Sequence, residues 1–191
     1  MALLCPLRPL SKLQMSTKKK QTKAQIRVAI ARDVLKRLDT KKLKAANNGY
    51  LNLKVTPTEK NRDSDFKSVL ARQPVCTVCA IGGLFVSCCS KFNELPTSTI
   101  LDRPKQDTDR PGYIHFEPLV PYLENYFSAE QLALVETAFE GSVVGNLDHQ
   151  EVSADQEENA CAIYYKHLNR PTARLRAIMQ NIVDNNGTFV P

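Results

Sequence analysis

Residues 74–95 read PVCTVCAIGGLFVSCCSKFNEL and hold four of the chain's six cysteines. A metal site, a nucleophile's seat and a buried helix all fit such a stretch at first sight. Cys76 and Cys79 have the spacing of half a zinc site, which needs a second pair. Cys88 and Cys89 are adjacent, and neighbouring side chains on a helix diverge by about 100°. The nearest histidine is His115. The ligand geometry fails, so no metal and no other cofactor is expected.

From Val78 to Phe92 the stretch is apolar almost all round, which marks a helix buried on most sides. Pro74 opens it and Thr77 can serve as its N-cap. Gly82 and Gly83 each cost about 1 kcal/mol relative to alanine in a helix interior. That cost makes sense where another backbone passes close by, or where the helix kinks. Free cysteines in such a place behave as small hydrophobes.

Working outward, Ile26, Ile30, Val34 and Leu38 recur every four residues and predict a helix from about Thr22 to Thr40. After the Asn48-Gly49 turn signal, Leu51, Leu53 and Val55 alternate as a short strand that Pro57 ends. A short helix follows Ser64, with Phe66, Val69 and Leu70 inward. Tyr113 to Glu117, YIHFE, alternates as a second strand able to pair with the first. Pro118 suits the first turn of a helix carrying Leu119, Val120, Leu123, Tyr126 and Phe127. Ser128 with Gln131, and Ser153 with Gln156, form capping boxes for the next two helices. Leu132, Val135 and Phe139 line the first of these, which Gly141 caps. Ala160, Ile163, Tyr164 and Leu168 line the second. A last helix covers about Thr172 to Asn185, and the terminal TFVP folds back over the body. Glu136, Glu140, Glu157 and Glu158 read as solvated helix faces. The fold class is mainly α: six or seven helices, at most two short strands, one compact domain over 21–191.

The chain has 191 residues, 42% hydrophobic and 24% charged, enough for one domain with a sizeable core. The longest apolar run, around Val78 to Val86, falls well short of the roughly 20 residues a spanning helix needs, so no membrane partner is expected. Residues 1–20, MALLCPLRPLSKLQMSTKKK, put their lysines after the apolar stretch, the reverse of a signal peptide. They read as a disordered basic arm. Met15 with STKKKQTKAQ looks like a natural start, with residues 1–14 an upstream extension. Five cysteines beyond Cys5, four of them crowded together, suit reduced thiols in a cytosol.

Charge is divided along the chain. Residues 1–72 hold 18 Lys and Arg against 5 Asp and Glu, a net +13, while residues 73–191 hold 8 against 15, a net −7. A basic arm on an acidic body suggests a partner, protein or nucleic acid, engaged through Lys18, Lys19, Lys20, Lys23 and Arg27. No aromatic residue precedes Tyr50 among those lysines, so a stacking platform for single strands is missing.

CAIGGLF at 79–85, EQLALVETAFE at 130–140 and NNGTFVP at 185–191 together resemble a set of small uncharacterised proteins from bacteria and their phages. The resemblance spans roughly residues 24–191. It implies a microbial or viral, cytoplasmic origin and carries no known activity.

The leading expectation is a non-enzymatic interaction protein, an accessory or regulatory factor for a macromolecular partner. One alternative is a cysteine-dependent hydrolase or transferase. Cys79 would sit in the first helical turn, where the dipole lowers a thiol's pKa, with His115 as base and Asn125 or Asp148 as orienter. Another is a small-molecule binder with its pocket beside Gly82 and Gly83.

Overall fold

The computed structural model describes residues 21–47, 49–54, 60, 62–92, 95–101, 113–114, 119–141 and 152–191. The basic arm at 1–20, Val55, Pro57 and Pro118 lie outside them. The first helix, α1 (Lys23–Asp39), forms where its four-residue stripe predicts. Thr22 caps it with a reciprocal capping box to Gln25, and Ile30, Ala31, Val34 and Leu38 are buried.

A small sheet follows, and it is larger than the sequence suggests. Its strands are β1 (Leu43–Ala45), β2 (Leu51–Leu53), β3 (Cys76–Val78) and β4 (Tyr113–Ile114), in the order β1-β3-β2-β4. The expected pairing of the two foreseen strands is present, Leu51 opposite Ile114 and Asn52 opposite Tyr113. β1 and β3 are the additions. Leu43 and Ala45 fall between the expected end of α1 near Thr40 and the Asn48-Gly49 turn signal, and Cys76 to Val78 fall in the expected opening of the cysteine helix. β3 is one of two inner strands, parallel to β1 and antiparallel to β2. Leu43, Ala45, Leu51, Leu53, Cys76 and Val78 all point into the core by simple alternation. Pairing on both edges overrides the helical reading of VCTVC.

β1 and β2 are close in sequence but do not pair, because β3 runs between them. The chain from Ala46 to Tyr50 must therefore cross the end of β3. It is held there by backbone bonds: Ala46 N–H donates to the Val78 carbonyl, and Cys79 N–H donates to the Gly49 and Tyr50 carbonyls at 3.1 and 3.3 Å.

Past that crossing, α3 (Ala80–Lys91) enters the middle of the molecule, and all ten residues from Ala80 to Cys89 are buried. Before it, α2 (Phe66–Ala71) buries Phe66, Val69 and Leu70 as foreseen. α4 (Ser98–Leu101) and α5 (Val120–Leu123) are single turns. α6 (Ala129–Glu140), α7 (Ala154–Lys166) and α8 (Pro171–Asp184) complete the body. α3 packs against α1, α2, α5 and α6, while α8 packs against α1, α6 and α7. The architecture is mainly helical. Among the described residues six helices exceed one turn and two do not, and none is long and apolar enough to cross a membrane.

Two details depart from the sequence reading. Ser128 does accept from the Gln131 N–H, but the Gln131 side chain turns to the C-terminal tail instead of closing the box. Its amide donates to the Phe189 carbonyl and accepts from the Phe189 N–H at 2.6 Å, which pins TFVP to the body as expected. Leu168, expected inward, is 45% exposed, because α7 ends at Lys166.

Gly82 explains why the central helix tolerates glycine. A Cβ there would lie 1.6 Å from the Tyr50 carbonyl oxygen, whereas one on Gly83 would meet Val34, Val78 and Leu175 at ordinary distances of 3.6 to 3.9 Å. Gly82→Ala should cost at least about 3 kcal/mol or abolish folding, since backbone must move. Gly83→Ala should be neutral or stabilising by up to about 1 kcal/mol. Equilibrium urea unfolding of the pair checks this; equal effects would show that the crossing does not sit on Gly82.

Candidate functional site

Cys79 is the residue on which an enzymatic reading depends. It is the N-cap of α3 rather than part of its first turn, and it is 2% exposed. Burial drives its thiol far above the ordinary value. The Gly82 and Ile81 N–H groups oppose this, and the charges of Glu140 and Glu136 reinforce it. A cysteine nucleophile needs the reverse, a lowered pKa and access to solvent. The other core thiols follow the same rule, Cys76 at about 11 and Cys88 at about 12, both raised by burial. Cys76, Cys79, Cys88, Cys89 and Cys161 are free thiols.

Of the proposed partners of Cys79, only Asn125 falls within the described residues. His115 and Asp148 lie outside them. Asn125 is exposed and donates to the Pro121 and Tyr122 carbonyls of its own turn. The pocket expected beside Gly82 and Gly83 is also corrected: the Tyr50 backbone and the side chains of Val34, Val78 and Leu175 fill that space. Among the described residues no three His, Cys, Asp or Glu side chains gather as metal ligands.

The polar chemistry instead collects around the crossing chain. Glu136, read above as solvent-facing, is 1% exposed, and its Oε1 accepts a 2.5 Å hydrogen bond from the Tyr50 hydroxyl. Its Oε2 is buried with no partner. Burial pushes the Glu136 carboxyl up to about 7; the Tyr50 hydrogen bond pulls down and the Glu140 charge pushes up. On α8, Arg174 is fully buried, and its Nη2 donates to Asn47 Oδ1 at 2.7 Å. The guanidinium lies 4.4 Å from the Tyr164 ring centre and 4.9 Å from that of Phe139. Those aromatic faces take up charge that Nε and Nη1, which lack hydrogen-bond partners, do not place elsewhere. Burial lowers the Arg174 pKa, opposed by Tyr164 and Glu140.

Sequence reasoning missed both charges, although their register marks them. Glu136 lies four residues after Leu132, and Arg174 four before Ile178, so each falls on the core stripe of its own helix. Residue type outweighed position in the reading.

The basic residues divide. Lys23 is exposed at the first position of α1. Arg27, expected to meet a partner, is committed inside the fold. Its Nε donates to the Gly187 carbonyl at 2.5 Å and its Nη1 to the Tyr126 carbonyl at 2.9 Å. It lies one turn before Ile30, close enough to the buried stripe for the C-terminal turn to reach it. Lys18, Lys19 and Lys20 lie outside the described residues. Comparison of the chain with protein-family models, curated proteins and solved structures found no match.

Two measurements check this site. The folded protein holds the Glu136 proton more tightly than the unfolded chain does. Its stabilising contribution is therefore full below about pH 4.5 and lost as pH rises through about 7. Glu136→Gln, which keeps the shape of the protonated form, should match the wild type near pH 5. It should exceed it near pH 8 by about 2 to 4 kcal/mol, the scale of the shift. Equal pH profiles would mean that Glu136 is solvated. In the second, iodoacetamide on the native protein should modify Cys161, which is half-buried, before any of Cys76, Cys79, Cys88 or Cys89. Fast labelling of Cys79 would revive the nucleophile.

Proposed function

We propose that the protein is a non-enzymatic interaction factor that engages an anionic macromolecule through its basic N-terminal region. The observation that carries this reading is where the cations stand. Lys23, Lys41, Lys42 and Lys44 are exposed, and no ion pair within the described residues engages them. Lys41 to Lys44 lie at the end of α1 and along β1, an edge strand of the sheet. They continue onto the body the positive charge that the sequence concentrates in residues 1–72. The interior supplies no competing catalytic reading, because Cys79 is enclosed and its thiol is raised. The five free thiols among the described residues suit a reducing cytosol.

Phosphate is the usual counter-charge for such lysines, so nucleic acid is the first partner to test. Affinity for duplex DNA or RNA should fall steeply with salt, with a slope of log affinity against log salt of about −0.9 per phosphate contact on B-DNA. Replacing Lys18, Lys19, Lys20 and Lys23 with glutamine should flatten the slope about equally for every sequence, since lysines on phosphates position without reading bases. Fluorescence anisotropy with labelled duplexes measures both. No binding at low salt would exclude nucleic acid and leave acidic protein surfaces as the partner class.

A further inference from the structure

One face of α1 is left unused by the core. Along it runs an open groove of about 710 Å³, floored by Ala24, Val28 and Ala29 and flanked at its far end by Arg32, Lys36 and Lys91. The acid in that wall, Asp33, is already matched by Arg37 at 2.6 Å and Lys91 at 3.5 Å. Arg32 and Lys36 are exposed and have no ion pair among the described residues, so this end of the groove is positive. The groove therefore asks for a helix that is acidic at one end and apolar at the other.

The same chain carries one. α7 buries only Ala160 fully. Its outward row, at spacings of three and four, is Asp155, Glu158, Ala162 and Tyr165. Tyr165 is 67% exposed, and Leu168 just beyond the helix is 45% exposed. Among the described residues the large apolar side chains left most exposed are these two and Val190. At 1.5 Å per residue α7 is about 20 Å long, and the stripe from Gln21 to Lys36 is about 22 Å. Set antiparallel to α1, Asp155 and Glu158 fall against Arg32, Lys36 and Lys91. Ala162 and Tyr165, about 10 Å further on, then reach Val28 and Ala24. Within one copy this row faces solvent, so its counterpart must come from another.

We infer that the protein associates with itself, with α7 of one copy seated in the α1 groove of a second. The contact joins two different surfaces. It either closes reciprocally into a two-fold dimer or propagates head to tail. One helix in one groove buries less than a stable interface does, so the association is weak and salt-sensitive. This inference stands apart from the nucleic-acid reading, which rests on other lysines.

Sedimentation velocity on the full chain, from about 10 to about 500 µM, tests it, the range in which a small interface assembles. The wild type should associate with rising concentration in about 50 mM salt and lose this in about 500 mM. Arg32→Glu with Lys36→Glu, and separately Asp155→Lys with Glu158→Lys, should each weaken self-association at least about tenfold, by placing like charges opposite one another. All four residues are exposed, and circular dichroism confirms that the variants fold. Mixing the two double variants should restore a complex, because the acidic groove of one then meets the basic α7 of the other. A wild type that stays monomeric throughout overturns the inference. So does association that neither variant weakens, or a mixture of folded variants that fails to combine.

Discussion

The Tyr50 carbonyl seated on Gly82 is the contact on which this fold turns. Because β3 is threaded between β1 and β2, the short connection from Ala46 to Tyr50 has to pass over the junction where β3 becomes α3. A side chain at residue 82 would occupy the position of that carbonyl oxygen. With glycine there, the Tyr50 carbonyl closes on α3, and the Cys79 N–H finds acceptors in the Gly49 and Tyr50 carbonyls. The strand-to-helix junction and the crossing chain thus satisfy each other's backbone groups, as a buried junction requires. The direction in which α3 enters the core follows from it, and so does the packing of α1, α5 and α6 around α3.

The two buried charges belong to the same crossing. Glu136 on α6 takes the Tyr50 hydroxyl, and Arg174 on α8 holds the Asn47 side chain. Each ties one end of the connection to a different helix. Neither is fully satisfied: one Glu136 oxygen and two Arg174 nitrogens lack hydrogen-bond partners. Burying a charge costs several kcal/mol even after relaxation. Glu136 lowers that cost by holding its proton to about pH 7, and Arg174 by lying between two rings. Both groups fix a position for the connection at some expense of stability.

How much of this was legible depends on which force sets each element. Helices with a clean stripe and a side-chain cap stood in the sequence almost residue for residue: α1 from Thr22, α6 from Ser128 to Gly141, α7 from Ser153. The C-terminal return of Phe189 was legible too, although its partner Gln131 was assigned to a capping box. Non-local pairing was not. Leu43 to Ala45 and Cys76 to Val78 are strands because each has a neighbour distant in sequence, and three-residue segments carry no period strong enough to announce it. The polar cluster could have been found by taking helical register over residue type at Glu136 and Arg174. The role of Arg27 could not, because its acceptors are backbone carbonyls nearly 100 and 160 residues away.

These assignments narrow where function can reside. Among the described residues the buried thiols fill the core, Glu136 and Arg174 hold the connection, and Arg27 holds the C-terminal turn. Among the described residues, exposed cations that make no ion pair stand along α1 and β1, and exposed acids along the outer row of α7. Sorted surface charge steers association and selects partners while doing no bond chemistry.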